Sequence, residues 1–289
     1  MNKDKSANAA YNETIALASR LKNYFLGKEG AIIAFSGGVD SSLLAYTARL
    51  SLGDRMVAVI ADSPSLAERE HRLAIAFAGK HKIPLETVKT EEMNDSRYIA
   101  NMGNRCYYCK ESLFKELLDL QNRLAANSRV APWPIFYGAN TDDLRDFRPG
   151  MKAAKKASVK APFIDLGMNK ESIRKLCSYY NLEVAHKPAA PCLASRIPYF
   201  EEVTLKKLKQ VEEAESFLID MGFQEVRVRN HGDTARIEVL PNNFPDLTEH
   251  HEKITKKFHS LGFQFVSMDL DGFKSGSLNT ALEFKKTNS

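Results

Sequence analysis

Residues Ala31–Leu50 read AIIAFSGGVDSSLLAYTARL. The run Ala31 to Phe35 is short, apolar and rich in strand formers. Ser36-Gly37-Gly38-Val39-Asp40-Ser41-Ser42 then makes a tight turn, and a helix is expected from about Ser41. Adjacent glycines let backbone N–H groups approach a ligand with no Cβ in the way. Hydroxyls and a helix N-terminus add donors and the positive end of a dipole, which suits an anion such as phosphate. An acidic residue would repel a bare phosphate, so Asp40 is read with a divalent cation beside it. The simpler alternative is an ordinary strand-to-helix turn, but S-G-G-x-D-S-S after a strand is far more specific than a glycine pair. It does not match the G-x-x-x-x-G-K-[ST] loop of kinases and GTPases.

Outward from this stretch, helical spacing of Ile15, Leu17, Leu21, Tyr24 and Phe25 predicts a leading helix over Asn12–Leu26. Met56–Ala61, Pro84–Val88 and Pro134–Gly138 read as further strands, with a helix over Glu68–His81. Continuous apolar runs are typical of buried parallel strands. The alternation predicts an α/β fold, a doubly wound parallel sheet with helices on both faces. Ligands of such sheets sit beyond the C-terminal strand edges, so the loops carrying Ser36–Ser42, Asp62 and Gly138 are expected to converge. Asp142, Asp143 and Arg148 read either as ligand contacts or as a charged surface loop. The four lysines Lys152, Lys155, Lys156 and Lys160 read as a solvated helix face, with a pyrophosphate-facing lysine as the alternative. Lys170–Tyr180 places Cys177 on the apolar face of a helix, a small core residue outside the chemistry.

Beyond Phe200 the pattern changes. A helix over Thr204–Met221, two alternating runs joined at His231-Gly232-Asp233, a helix over Phe244–Leu261 and a strand over Phe263–Leu270 form a small α+β domain. The predicted domains are 1–200 and 201–289. The tail after Leu278 reads as frayed.

The chain has 289 residues, 44% of them hydrophobic and 27% charged, with a formal net charge of +5. That is the composition of a soluble globular protein. The polar start Met1–Ala10 lacks the apolar core of a secretory signal, and no run is long enough to span a membrane, so a cytoplasmic address is expected. The mild positive charge suits an anionic small molecule and does not require nucleic acid.

Cys106-Tyr107-Tyr108-Cys109 is a C-x-x-C pair, and Cys192 lies between Pro191 and Pro198 with Arg196 nearby. A lone C-x-x-C fits a redox pair, half a zinc site or part of an iron–sulfur site. No second C-x-x-C supports a four-cysteine zinc centre. Three thiolates from two segments can hold three irons of a [4Fe–4S] cube and leave the fourth iron open. Proline rigidity and a neighbouring guanidinium suit a reactive or metal-bound Cys192 thiolate.

The turn resembles that of the PP-loop ATP pyrophosphatases, which cut ATP between its α and β phosphates and adenylate a substrate oxygen. SGGVDSS, RCYYCK (105–110) and PCLASRIPY (191–199) together resemble the LarE family of ATP-dependent sulfur transferases. VRVRNHGDTARIEVLP (226–241) and DLDGFKSGSLN (269–279) extend the likeness over nearly the whole chain. The resemblance implies a small-molecule nucleotide substrate, pyridinium-3,5-biscarboxylic acid mononucleotide, on the route to a nickel-pincer cofactor. ATP with Mg²⁺ adenylates its carboxylate, pyrophosphate leaves, and a sulfur nucleophile displaces AMP to give the thiocarboxylate. The implied nucleotide and metal residues are Ser36, Gly37, Gly38, Asp40 (Mg²⁺), Ser41, Ser42, Asp62 and Gly138. Cys106, Cys109 and Cys192 match the three-cysteine version that carries a [4Fe–4S] cluster, reloaded by sulfide or another sulfur donor. Arg196 is implied beside the reaction, and Arg196, Arg227 and Glu238 at the substrate, although alternation makes Arg227 equally a solvent-face charge. The three cysteines must then meet the loop across the mouth of the sheet. Relatives assemble through their C-terminal regions, so a homo-oligomer is expected. The competing readings are the single-cysteine version with Cys192 sacrificed as donor, a PP-loop tRNA thiolase, an amidating ligase, and a nucleotide-binding module with structural zinc.

Overall fold

A computed structural model describes residues 2–128, 131–145 and 148–274, with side chains from Tyr11 on except those of 127 and 128. The expected fraying after Leu278, and the part of DLDGFKSGSLN beyond Lys274, lie outside the described residues.

In chain order, α1 (Asn2–Phe25) leads into β1 (Ala31–Phe35), α2 (Val39–Leu52), β2 (Met56–Asp62), α3 (Glu68–Lys80) and β3 (Leu85–Lys89). Next come α4 (Ser96–Ile99), α5 (Arg105–Ser128), β4 (Ile135–Phe136), α6 (Pro149–Lys156), α7 (Pro162–Asp165) and α8 (Lys170–Tyr179). The remainder is α9 (Leu205–Asp220), β5 (Val226–His231), β6 (Thr234–Val239), α10 (Phe244–Glu249), α11 (His251–Ser260) and β7 (Phe265–Met268). They gather into two compact units. The first holds residues up to Ser63, Glu70–Glu91 and Cys106–Ala190; the second holds Pro64–Arg69, Glu92–Arg105 and the chain from Pro191.

The first unit is the parallel α/β sheet that the sequence predicts, in the order β3-β2-β1-β4. Every residue of β1 is buried because both faces are covered. On one face Ile32, Ala34, Val59 and Val88 meet Leu113, Phe114 and Leu117 of α5 and Ala153 and Ala154 of α6. On the other, Phe25 of α1 packs edge-on to Phe136, their ring centroids 5.2 Å apart, and Phe77 of α3 lies 6.2 Å from Phe35. Each such side chain removed from water contributes about 1.5–3 kcal/mol.

Two expectations are corrected in this unit, and one helix is added. The helix after the turn starts at Val39, two residues earlier than Ser41, so Asp40 sits in its first turn. The strand expected over Pro134–Gly138 is only Ile135–Phe136; Pro134 has no N–H to give a ladder. The 24-residue α5, which carries Cys106 and Cys109, is absent from the sequence reading, although Leu113, Leu117 and Leu120 keep helical spacing.

The direction of α5 places its cysteines. Gln121 donates to the carbonyl of Trp133, just before β4, whereas Phe114 stacks 6.0 Å from Tyr137, just after it. The helix therefore runs against the strands. At 1.5 Å per residue, its first turn extends about 10 Å beyond the C-terminal edge of the sheet.

The second unit holds the smaller sheet, order β5-β6-β7. β5 and β6 form the expected hairpin, with His231 opposite Thr234 and Gly232 at φ +70° in the two-residue loop. The last strand pairs parallel to β6. Leu218 of α9, Ile254 and Phe258 of α11, and Val228 and Ile237 of the sheet share one core. The single helix expected over Phe244–Leu261 breaks at His250. There Thr248 Oγ1 donates to the Phe244 carbonyl at 3.0 Å and His251 Nδ1 lies 2.9 Å from the Thr248 carbonyl, local bonds that compete with the helix ladder.

Candidate functional site

The turn after β1 is built for close approach. Gly37 has φ +67°, and a Cβ there would stand 2.5 Å from the Ala74 Cβ of α3. The first condition strains any other residue and the second makes its side chain clash with α3. Gly138, just after β4, approaches α2 so closely that a Cβ would lie 3.0 Å from both the Asp40 Cβ and the Ser41 nitrogen. The loops after β1 and β4 thus meet, as expected for a parallel sheet. Asp62 ends β2 at the same edge, exposed and in register with Lys89 of β3.

Ser41 closes the turn internally. Its Oγ donates to the Gly38 carbonyl at 3.2 Å and accepts from the Ser36 N–H at 3.2 Å, with the Ser36 hydroxyl 3.1 Å away. Gly38 caps α2 without a side chain. The first-turn amides of α2 therefore receive no capping side-chain oxygen. Ser42 Oγ is buried and has no hydrogen-bond partner among the described residues.

Asp40 is held at both oxygens. Lys170, the first residue of α8, reaches Oδ2 at 2.5 Å, and Asn140 Nδ2 lies 3.4 Å from Oδ1. One carboxylate together with phosphate oxygens and water is the donor set that Mg²⁺ favours, so Asp40 fits that ion. Asp142 and Asp143 serve the loop itself: Asp142 accepts from the Lys170 N–H at 2.9 Å, and Asp143 accepts from the Asn140 N–H at 3.0 Å. The lysines of α6 and Lys160 are exposed, the solvated face of the two readings. Among the described residues, Lys170 and Lys187 reach the turn. Lys187 Nζ donates to the Gly37 carbonyl at 3.0 Å and pairs with Glu70 of α3 at 2.6 Å. Nothing in the local sequence spacing marks Lys187.

Cys106 and Cys109 sit three residues apart on the first turn of α5, neighbours on one helix face, exposed and half-buried respectively. They extend beyond the same sheet edge as the Ser36–Ser42 turn. Cys177 is buried, as expected, and desolvation pushes its thiol up to about 12, which leaves it protonated at neutral pH.

Cys192 belongs to the second unit, where two buried arginine–glutamate pairs brace its loop. Arg196 is bidentate to Glu215 of α9, at 2.8 and 2.9 Å, and its Nη1 donates to the carbonyls of Pro191 (2.5 Å) and Cys192 (3.1 Å). Arg229 is bidentate to Glu238, at 2.8 and 2.9 Å, and donates to the Ser195 carbonyl at 2.8 Å. Arg196 was expected beside the sulfur and the substrate. Here it is 4% exposed and grips the loop through backbone, the Cys192 carbonyl included. Glu238, expected to face substrate, is 1% exposed and also takes Arg236 at 3.1 Å. Arg227 is half-buried over the Phe273 ring at 5.1 Å, and burial, with Arg196 and Arg229 nearby, lowers its pKa. Glu215 and Arg229 were missed. Glu215 had a signal: a carboxylate on the helix face shared by Val211, Ala214 and Leu218. Arg229 had none, since it alternates like Arg227.

Thiolates are the ligands an iron–sulfur cube takes. Cys106 and Cys109 are neighbouring thiols of the first unit, and Cys192 stands on a braced loop of the second. Among the described residues, no group of three or more His, Cys, Asp or Glu side chains is placed to hold a metal ion. No helix among them is long and apolar enough to cross a membrane.

Residues 14–122 match the family model described as NAD synthase. The chain is 32% identical over 251 residues to the pyridinium-3,5-bisthiocarboxylic acid mononucleotide synthase of Lactiplantibacillus plantarum, covering 86% of this chain and 89% of that protein. An uncharacterized protein of Synechocystis is 41% identical over 271 residues, covering 92% of this chain and 99% of the relative. One from Methanocaldococcus jannaschii is 31% identical over 261 residues, covering 90% and 97%.

Proposed function

This chain belongs to the pyridinium-3,5-bisthiocarboxylic acid mononucleotide synthase family, and from that premise we propose that it is an ATP-dependent sulfur transferase of cofactor biosynthesis. The proposed substrate is pyridinium-3,5-biscarboxylic acid mononucleotide. The Ser36–Ser42 turn binds the phosphates of ATP through the free amides at the start of α2, and Asp40 holds Mg²⁺ once Lys170 yields its oxygen. Asp62 and Gly138 line the same edge. The substrate carboxylate attacks the α-phosphorus, the bond to the β-phosphate oxygen breaks, and pyrophosphate leaves. The acyl-adenylate is then opened by sulfur, AMP departs, and a thiocarboxylate results.

Cys106, Cys109 and Cys192 supply the thiolates for a [4Fe–4S] cluster, which when bound provides the sulfur nucleophile. Arg196 and Arg229 keep the Cys192 loop in one conformation, so that its sulfur is presented without an entropic search. Arg227, the least enclosed of the three arginines, is the one assigned to substrate anions; Glu238 sets the position of Arg229. Residues 1–200 carry activation, and 201–289 carry the substrate-facing sheet and self-association.

The observation that carries this reading is the shared edge. The first turn of α5, with two thiols, extends past the end of the sheet that also bears the phosphate turn. Anaerobic iron and sulfide analysis tests it. Wild type should hold about four irons per chain, and Cys192→Ala should lose them while still binding ATP. A colourless protein with zinc refutes the cluster. Loss of the elements of H₂S from Cys192 in each spent chain would instead make that residue a sacrificed donor.

A further inference from the structure

The Ser36–Ser42 turn contains an aspartate and no lysine or arginine. A turn that takes a triphosphate must therefore find its cation elsewhere, because Walker-type loops carry theirs within the motif. Two lysines late in the chain reach it. Lys170 is spent on Asp40, at 2.5 Å, and neutralises the one acidic group of the turn. Lys187 is placed differently: its Nζ lies on the turn's own backbone, 3.0 Å from the Gly37 carbonyl, and Glu70 holds it there at 2.6 Å.

We propose that Lys187 is the residue that seats the pyrophosphate half of a nucleoside triphosphate in this turn, with Glu70 as the positioning residue that aims it. The inference rests on the reading of the turn as an ATP site and supplies the charge which that reading lacks. An ammonium has three N–H donors. The Gly37 carbonyl and Glu70 take two, and the third remains for a phosphate oxygen. The Lys187 side chain is only 16% exposed, so solvent screens its charge weakly, while Glu70 fixes its position and offsets part of that charge. The same ammonium would balance charge on the departing pyrophosphate after the bond to the α-phosphorus breaks. No other co-reactant is needed for that step.

The test is calorimetric titration of the full chain, in magnesium, with inorganic pyrophosphate and separately with AMP. Lys187→Met should weaken pyrophosphate binding by about tenfold or more, the usual value of a charge-assisted contact. AMP affinity should move by less than about threefold, and Lys187→Arg should recover most of the loss. Lys187→Gln keeps a donor for the Gly37 carbonyl, so it preserves the tie to the turn while removing the charge; it should show the same selective loss. Equal losses for AMP and pyrophosphate, full binding in the glutamine variant, or a pyrophosphate loss confined to Lys170→Met would overturn the assignment. A wild-type chain that binds neither AMP nor pyrophosphate would overturn the reading of the turn itself.

Discussion

At Gly37 two constraints coincide, a positive φ and a neighbour at 2.5 Å from any Cβ. An L side chain in the left-handed region costs about 1–2 kcal/mol by itself. In Gly37→Ala the new methyl must also push α3 away, and with it Glu70, which lies on that helix. The expected outcome is a lower melting temperature together with ATP affinity reduced by about tenfold or more, read by calorimetry on the same sample. Unchanged affinity would mean that the turn does not hold the nucleotide. Gly38 carries neither constraint and takes an extended conformation, so the paired glycines of the motif do unequal work.

At the scale of elements, α9 shows how a helix can hold a site it does not appear to belong to. Its apolar face packs on β5, and Glu215 on that face is 6% exposed. A buried carboxylate needs partners; it finds the Arg196 guanidinium and the Val228 N–H at 2.9 Å. Glu215→Ala leaves a buried arginine uncompensated, for which the expected loss is about 3–5 kcal/mol of unfolding free energy. Urea denaturation followed by tryptophan-independent far-UV dichroism reads that loss. The same variant should free the Cys192 loop, seen as faster alkylation of Cys192 with little change at Cys106. A loss below about 1 kcal/mol would place the pair with ordinary surface bridges.

For the whole molecule, the second unit is assembled from three stretches of chain. Its internal ties run through them. Leu193 N–H donates to the Ser65 carbonyl at 2.8 Å, Val203 N–H to the Ile99 carbonyl at 2.9 Å, and Asn101 Nδ2 to the Pro198 carbonyl at 2.7 Å. A fragment of residues 201–289 lacks Arg196, Asn101 and Ser65, and leaves Glu215 buried without its bidentate partner. Such a fragment is expected to show no cooperative urea transition, whereas the full chain should. A sharp transition in the fragment would show that the α9–β5–β6 core suffices.

Much of this was legible in the residues. Period-two and period-3.6 patterns depend on which face each side chain presents, a local property, and they located the parallel sheet, the hairpin and the buried Cys177. The Ser36–Ser42 turn was legible because its glycines answer to backbone geometry within a few residues. The break at His250 was not, since the apolar period of Leu247 and Ile254 runs straight through it. The partners of charged residues were not legible either. Lys187 and Gly37, Arg196 and Glu215, and Arg229 and the Ser195 carbonyl are joined only by folding. A charge reads the same in sequence whether it meets solvent or a buried counter-ion, and only the tertiary structure decided which of these arginines and lysines brace the cysteine loop and which one reaches the turn.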